Sequence, residues 1–422
     1  MQDADLIIHN TGQLVTCASG GKSKRGAEML DVGIIGDGAV AIANGNYVGV
    51  GTSKTILQDF HSDELVDAEG RVVCPGFVDP HTHIVFAGDR LNEFELKIKG
   101  AAYLEILANG GGIISTVKQT REASVESLVE QSLARLDKML ACGTTTCEIK
   151  TGYGLDSATE LKMLEVIVEL DRVHPITIVP TFLAAHAVPP EFNENPDKYV
   201  DLICDNMLST AWKWFVASDF HGQVPFFCDV FCEQGAFSLD QSRRILETAK
   251  GIGFKIKAHV DQFTNLGGAR LAIEIGATSI DHLDAISDEE VDLLAKSDTI
   301  GMVIPTENFN AGKTQYANAR KLIDSGCAVS LSTDYNPGSA PCPSQPMAMA
   351  ISCRYQKLLP SEALNAATIN AACSIGLGDT VGSIEVGKRA DLAIFETYDY
   401  RQIAYEFGGD LVAAVYCGGV AV

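Results

Sequence analysis

The chain is poor in what membranes, nucleic acids and oxidising compartments require. No stretch reaches the roughly 20 uncharged apolar residues that a membrane span needs. The N-terminus, MQDADLIIHN, has no basic segment followed by an apolar one, so no signal peptide is visible. Basic residues are scarce, 32 Lys and Arg against 55 Asp and Glu, and the net charge of −23 argues against nucleic acid or anionic membrane as partners. An anionic small molecule would be repelled at long range, so a site for one needs a local cation. There is no CxxC pair among the twelve cysteines, and Cys142/Cys147 and Cys228/Cys232 are spaced wrongly for a zinc ribbon. Reduced thiols and a cytoplasmic location are the expectation. No GxGxxG opens a helix after a strand, which disfavours a dinucleotide fold, and Gly312-Lys313-Thr314 lacks the upstream glycine of a phosphate loop and reads as a turn.

What is present is enough chain for one large core plus a smaller module: 422 residues, 46% hydrophobic. The first 75 or so residues alternate with period two. "DLIIHNTGQLVT" is strand-like, and "AVAIANGNYVGVG" places two short runs around Asn44-Gly45, a hairpin signal. "RADLAIFE" and "AAVYCGGVAV" return to this style at the other end. A small β-sandwich domain completed by both termini is expected, from residues 1–75 and 381–422. Between them, over 76–380, short apolar strands alternate with helical segments. Eight candidates stand at 72–80, 144–150, 176–187, 226–233, 254–260, 278–283, 301–306 and 328–333. "SVESLVEQSLARLDKMLACG", "LDQSRRILETAKGIG" and "SDEEVDLLAKS" read as helices between them. "AAYLEILANGGGIISTV" is an insertion with a glycine-rich break. The fold class is α/β, a (β/α)8 barrel rather than an open doubly wound sheet.

Five of nine histidines, His81, His83, His186, His259 and His282, fall at or just past the C-terminal ends of strand candidates, where barrel active sites form. His9, His61, His174 and His221 read as surface or loop residues. His81 and His83 stand at i and i+2, on the same side of an extended strand and about 7 Å apart. Both can lean onto one ion. With His259 ending the fifth strand and Asp334 ending the eighth, three imidazoles and a carboxylate suit one Zn2+ or Fe ion with a position left for water. Candidate strand four ends in Cys232 and Glu233, so no lysine stands there to bridge a second metal; Lys150 on strand two stays open. His282, in "IDHLD", is a further ligand, a structural histidine or a catalytic one, and the catalytic reading is favoured.

With these residues in place, "PGFVDPHTH", His259, His282, "STDYNPG" and the split β-domain resemble the amidohydrolase superfamily. Within it, "FAGDR", "GGGIISTV", "EIKTGYGL", "AAHAVPPEF", "DQFTNLGGA", "DYNPGS" and "GSIEVGKRADL" are similar to the imidazolonepropionase family from the first strand to the last. The resemblance implies a metal-dependent (β/α)8 hydrolase that opens the ring amide of 4-imidazolone-5-propanoate, a small anionic heterocycle, to N-formimidoyl-L-glutamate in histidine degradation. It implies His81, His83, His259 and Asp334 as metal ligands. Arg90, Tyr153, His186, Gln262, Asn336, Gly338 and Ser339 are the implied substrate contacts, with Tyr103 as a further candidate. Asp334 would serve as general base and acid, with His282 assisting; Arg90 would take the propanoate carboxylate, and exposed amides beside Asn336 would help bind ring or product. Gln262 stands where some members have glutamate, and an amide cannot act as a base. Glu307 and Asn308 occupy positions where more apolar residues are expected. A homodimer is the expected assembly. The rival readings are a metal-dependent deaminase of a purine, pterin or pyrimidine, which would not need Arg90 and Tyr153, and an inactive barrel, which should lack a ligand.

Overall fold

The structure is a computed structural model that describes residues 1–100 and 111–422. Eight parallel strands follow one another in chain order in a single sheet. They are Phe77–Asp79, Thr144–Lys150, Thr177–Ala185, Phe227–Cys232, Lys255–Val260, Ser279–His282, Ile300–Val303 and Val329–Leu331. The first and eighth meet through side chains. Gln345 Nε2 donates to Val78 O and Leu331 O, and Asp79 accepts from the Ser332 and Thr333 hydroxyls. Beyond the strand ends the backbone pairs directly, His83 N to Tyr335 O at 2.9 Å. The connecting helices have the ends that their sequences dictate. Val125–Ala141 starts on the Ser124 cap, and Ser238 with Gln241 and Ser287 with Glu290 form capping boxes for Leu239–Ile252 and Asp288–Ala295.

The second sheet takes strands from both ends of the chain, in the order 420–421, 412–417, 392–395, 72–75, 6–15, 34–43 and 46–52, with 65–67 also on 6–15. Its alternation sorts side chains by face. Val73, Leu392 and Ile394 join the sheet's own core with Leu6, Ile8 and Leu14, whereas Val72, Cys74, Ala393 and Phe395 face the barrel core. Asn44 and Gly45, both with positive φ, turn the hairpin as expected.

The stretch 72–80 is two strands rather than one. Residues 72–75 pair with 392–395 in the terminal sheet, and 77–79 open the barrel. The chain crosses at Gly76, where a Cβ would lie 2.2 Å from Thr145 Oγ1, so only glycine allows the barrel wall to approach. An apolar run shows no break when both halves are buried. One of the four remaining histidines is also placed differently from expectation, His9, which lies within the strand Leu6–Val15. His174 stands in the loop after the helix Ser157–Val173, its ring against Asp137 and accepting from Ile176 N. All twelve cysteines are free thiols. Among the described residues no helix is long and apolar enough to cross a membrane.

Candidate metal centre and active site

His81, His83, His259, His282 and Asp334 converge at the C-terminal mouth of the barrel, all at most 3% exposed. His81 Nε2 and His83 Nε2 lie 3.3 Å apart, and Asp334 Oδ1 is 3.6 Å from the first and 3.5 Å from the second. The His259 ring centroid is 4.4 Å from that of His81 and 5.5 Å from that of His83. His81 Nδ1 faces Asp281 Oδ2 at 2.7 Å and His259 Nδ1 faces Asp229 Oδ2 at 3.0 Å. The Asp281 carboxylate places the His81 ring N–H on Nδ1 and leaves its Nε2 lone pair facing His83 Nε2. His259 Nε2 has no hydrogen-bond partner, and His81, His83 and His259 each offer a ligand atom within 4.8 Å of the others. Buried acceptors facing one another without a donor between them fit a cation. Burial holds the His81 and His83 imidazoles well below their usual pKa, in the neutral form that a metal binds; burial, then Glu307, pushes Asp334 well above the carboxylate range.

Beneath the imidazoles lies a charged layer that the sequence reading missed. Lys150 Nζ touches Glu148 and Asp229 at 2.8 Å and Asp281 at 3.8 Å; Lys257 Nζ donates to Pro80 O and sits 3.4 Å from Glu148. Burial alone would lower the Lys150 ammonium, but the three carboxylates hold it above its usual value. Three carboxylates against two ammoniums leave one surplus negative charge under the imidazoles, which complements a cation. Lys150, left open as a second-metal bridge, here lies among these carboxylates beneath the imidazoles.

Arg90 lies at the rim, its Nε donating to Thr116 Oγ1 at 2.9 Å and 4.0 Å from Glu93 Oε1. Glu93 in turn accepts from Gly112 N, so the glycine-rich segment braces this corner. Gly338 closes it: a Cβ there would fall 2.1 Å from Arg90 Nη1. His186 stacks on His83, ring centroids 4.8 Å apart and planes at 17°, and its Nδ1 donates to Gly152 O. Tyr153 is buried beside both, ring centroids 5.4 Å from His186 and 5.9 Å from His83. Gln262 is half-buried three residues past His259. Tyr103 lies outside the described residues.

The loop after strand eight departs from expectation. Asn336 Nδ2 donates to Asp334 O and Ser339 Oγ, and its Oδ1 accepts from the Gly338 and Ser339 amides at 2.8 Å. These amides are therefore capped within the loop rather than exposed, and the Asn336 side chain shapes the turn that carries Asp334. Asp334 itself has φ +51°, a left-handed conformation that its neighbours must hold in place. Glu307 and Asn308 are buried, and Lys313 reaches both, at 3.0 Å to Glu307 Oε1 and 3.3 Å to Asn308 Oδ1. Lys313, expected to be a plain turn residue, thus supplies the counter-charge of Glu307 and a hydrogen bond to Asn308.

This geometry agrees with comparisons to known proteins. A model of the amidohydrolase family matches residues 232–422 and a second one residues 64–103. Among solved structures, an adenosine deaminase from Xanthomonas campestris with bound zinc superposes at TM-score 0.74 over 100% of this chain and 93% of that one, at 18% identity. Guanine deaminase of E. coli gives 0.74 over 99% and 98%, at 16% identity. These likenesses establish the fold. Imidazolonepropionase of Chloroflexus aggregans is 50% identical over 100% of this chain and 99% of its own, and that of Herpetosiphon aurantiacus 50% over 100% and 98%. The chain therefore belongs to the imidazolonepropionase family of amidohydrolases.

Proposed function

We propose that the chain hydrolyses the ring amide of 4-imidazolone-5-propanoate to N-formimidoyl-L-glutamate, with one Zn2+ or Fe ion held by His81, His83, His259 and Asp334. The observation that carries this reading is the pairing of the imidazole–carboxylate cluster with one braced cation, Arg90, at the rim of a strongly acidic chain. When bound, the ion supplies a Lewis acid for the ring carbonyl and lowers the pKa of water. The residues do the rest. Asp334 takes the proton of the attacking water and returns it to the ring nitrogen as the C–N bond breaks, while His282 shares in that transfer by accepting a hydrogen bond from the attacking water. Arg90 offers its planar fork to the propanoate, and Tyr153 and His186 flank the ring.

Incubation of the purified protein with imidazolone propanoate should remove the ring absorbance and yield formimidoyl-glutamate without ammonia. Ammonia released from a nucleobase, with the imidazolone untouched, would instead mark a deaminase. Asp281 and Asp229 orient two ligands, so Asp281→Asn is expected to weaken metal binding about 10–100-fold. Metal retained against a chelator checks this, and an unchanged dissociation constant removes Asp281 from that role.

A further inference from the structure

Glu307, in "PTENFN", is a carboxylate where an apolar residue is expected. It is 3% exposed on the short helix after strand seven, Pro305–Asn310. Its Oε1 is clamped by the Lys313 ammonium at 3.0 Å, and its Oε2 has no hydrogen-bond partner. His282 Nδ1 lies 3.8 Å from that oxygen, also buried and also without a partner. His282 ends strand six with φ +85°, unusual for a residue with a side chain, which fixes where its ring can point. The ring stands edge-on to His81, centroids 5.4 Å apart, and 5.2 Å from His259. Two buried orphan groups, a donor and an acceptor about 0.6 Å beyond the upper hydrogen-bond distance, are a pair that closes with a small side-chain movement.

We propose that Glu307 is a positioning residue: it accepts the Nδ1–H of His282, so that this histidine carries its hydrogen away from the reaction centre and turns Nε2 toward it. Lys313 is the device that keeps Glu307 in place, holding one oxygen and leaving the other for His282. His282, Asp284 and Glu307 are also close enough to hold a metal ion, each offering an atom within 4.8 Å of the others. The Lys313 ammonium already sits on Glu307 as a tethered cation, and Asn308 Nδ2 donates to Asp284, so the chain supplies a cation of its own to this cluster.

The inference rests on the proposed reaction for its kinetic arm, and on no reaction for its spectroscopic one. In zinc-loaded protein labelled with 15N-histidine, the His282 signal, identified by its loss in His282→Asn, should report the Nδ1–H form. In Glu307→Ala it should shift toward the other tautomer or a mixture. With imidazolone propanoate, Glu307→Ala should lower kcat about tenfold with KM changed less than about twofold, as expected for a group acting through another on the chemical step. Glu307→Gln, which still offers an oxygen acceptor, should recover part of the loss. In a His282→Asn background Glu307→Ala should cost nothing further. Additive losses, or an unchanged tautomer, would overturn the proposal. So would a second equivalent of zinc that disappears in Glu307→Gln, which would make the cluster a metal site. A wild type inactive on the imidazolone would refute the proposed reaction and leave the spectroscopic result to decide the role of Glu307.

Discussion

Asp334→Asn should lower kcat/KM for imidazolone propanoate by at least the ~10²–10⁴-fold typical of losing a general acid–base group. The exchange keeps the size of the side chain and hence the turn, whose shape is set by Asn336 bonding to the Asp334 carbonyl and to Ser339. What it removes is the oxygen 3.5–3.6 Å from two imidazoles and the ability to hold a proton. Because the same oxygen is a proposed ligand, metal content must be measured with the rates. Full metal with a rate near wild type would refute Asp334 as the base. Gln262→Ala is the contrast. An amide that only orients the ring contributes one hydrogen bond, about 0.5–1.5 kcal/mol or a few-fold to tenfold in rate. If Gln262→Ala were as damaging as Asp334→Asn, the division of roles drawn here would be wrong.

The strands and the cluster at their ends were legible because both obey short-range rules. A short apolar run followed by a helix signal marks a barrel strand, and His81, His83, His259 and Asp334 each sit at or just past such an end. What stayed hidden depends on neighbours far apart in sequence. Asp229 and Glu148 interrupt strands that read as apolar, and nothing local reveals that both face Lys150. Glu307 looked misplaced because its partners, Lys313 and His282, come from a following loop and a preceding strand. The break at Gly76 was invisible because residues on both sides are buried, one set in each sheet. Exposure of the Gly338 and Ser339 amides was expected from a glycine-rich loop. The Asn336 side chain folds back and takes them, a choice open to asparagine and not readable from its type alone.

Arg90→Met should leave metal binding intact and raise KM for imidazolone propanoate about 10²-fold, with kcat little changed. A guanidinium–carboxylate pair is charge-assisted and two-pronged, and at a side chain only 13% exposed its loss removes about 3 kcal/mol of binding. The effect falls on KM because the propanoate keeps its charge from bound substrate to transition state, so the contact is uniform along the reaction. An imidazolone lacking the carboxylate gives the decisive comparison: wild type and Arg90→Met should then differ by less than about twofold. Gly338→Ala should show the same signature more weakly. Its Cβ would meet Arg90 Nη1 at 2.1 Å and push the guanidinium aside without removing its charge. Thr116→Val, which deletes the hydroxyl that holds Arg90 Nε, should act in the same direction. An unchanged KM in Arg90→Met, or an equal loss on the substrate without its carboxylate, would place the propanoate elsewhere and take from the site the cation on which its choice of an anionic heterocycle rests.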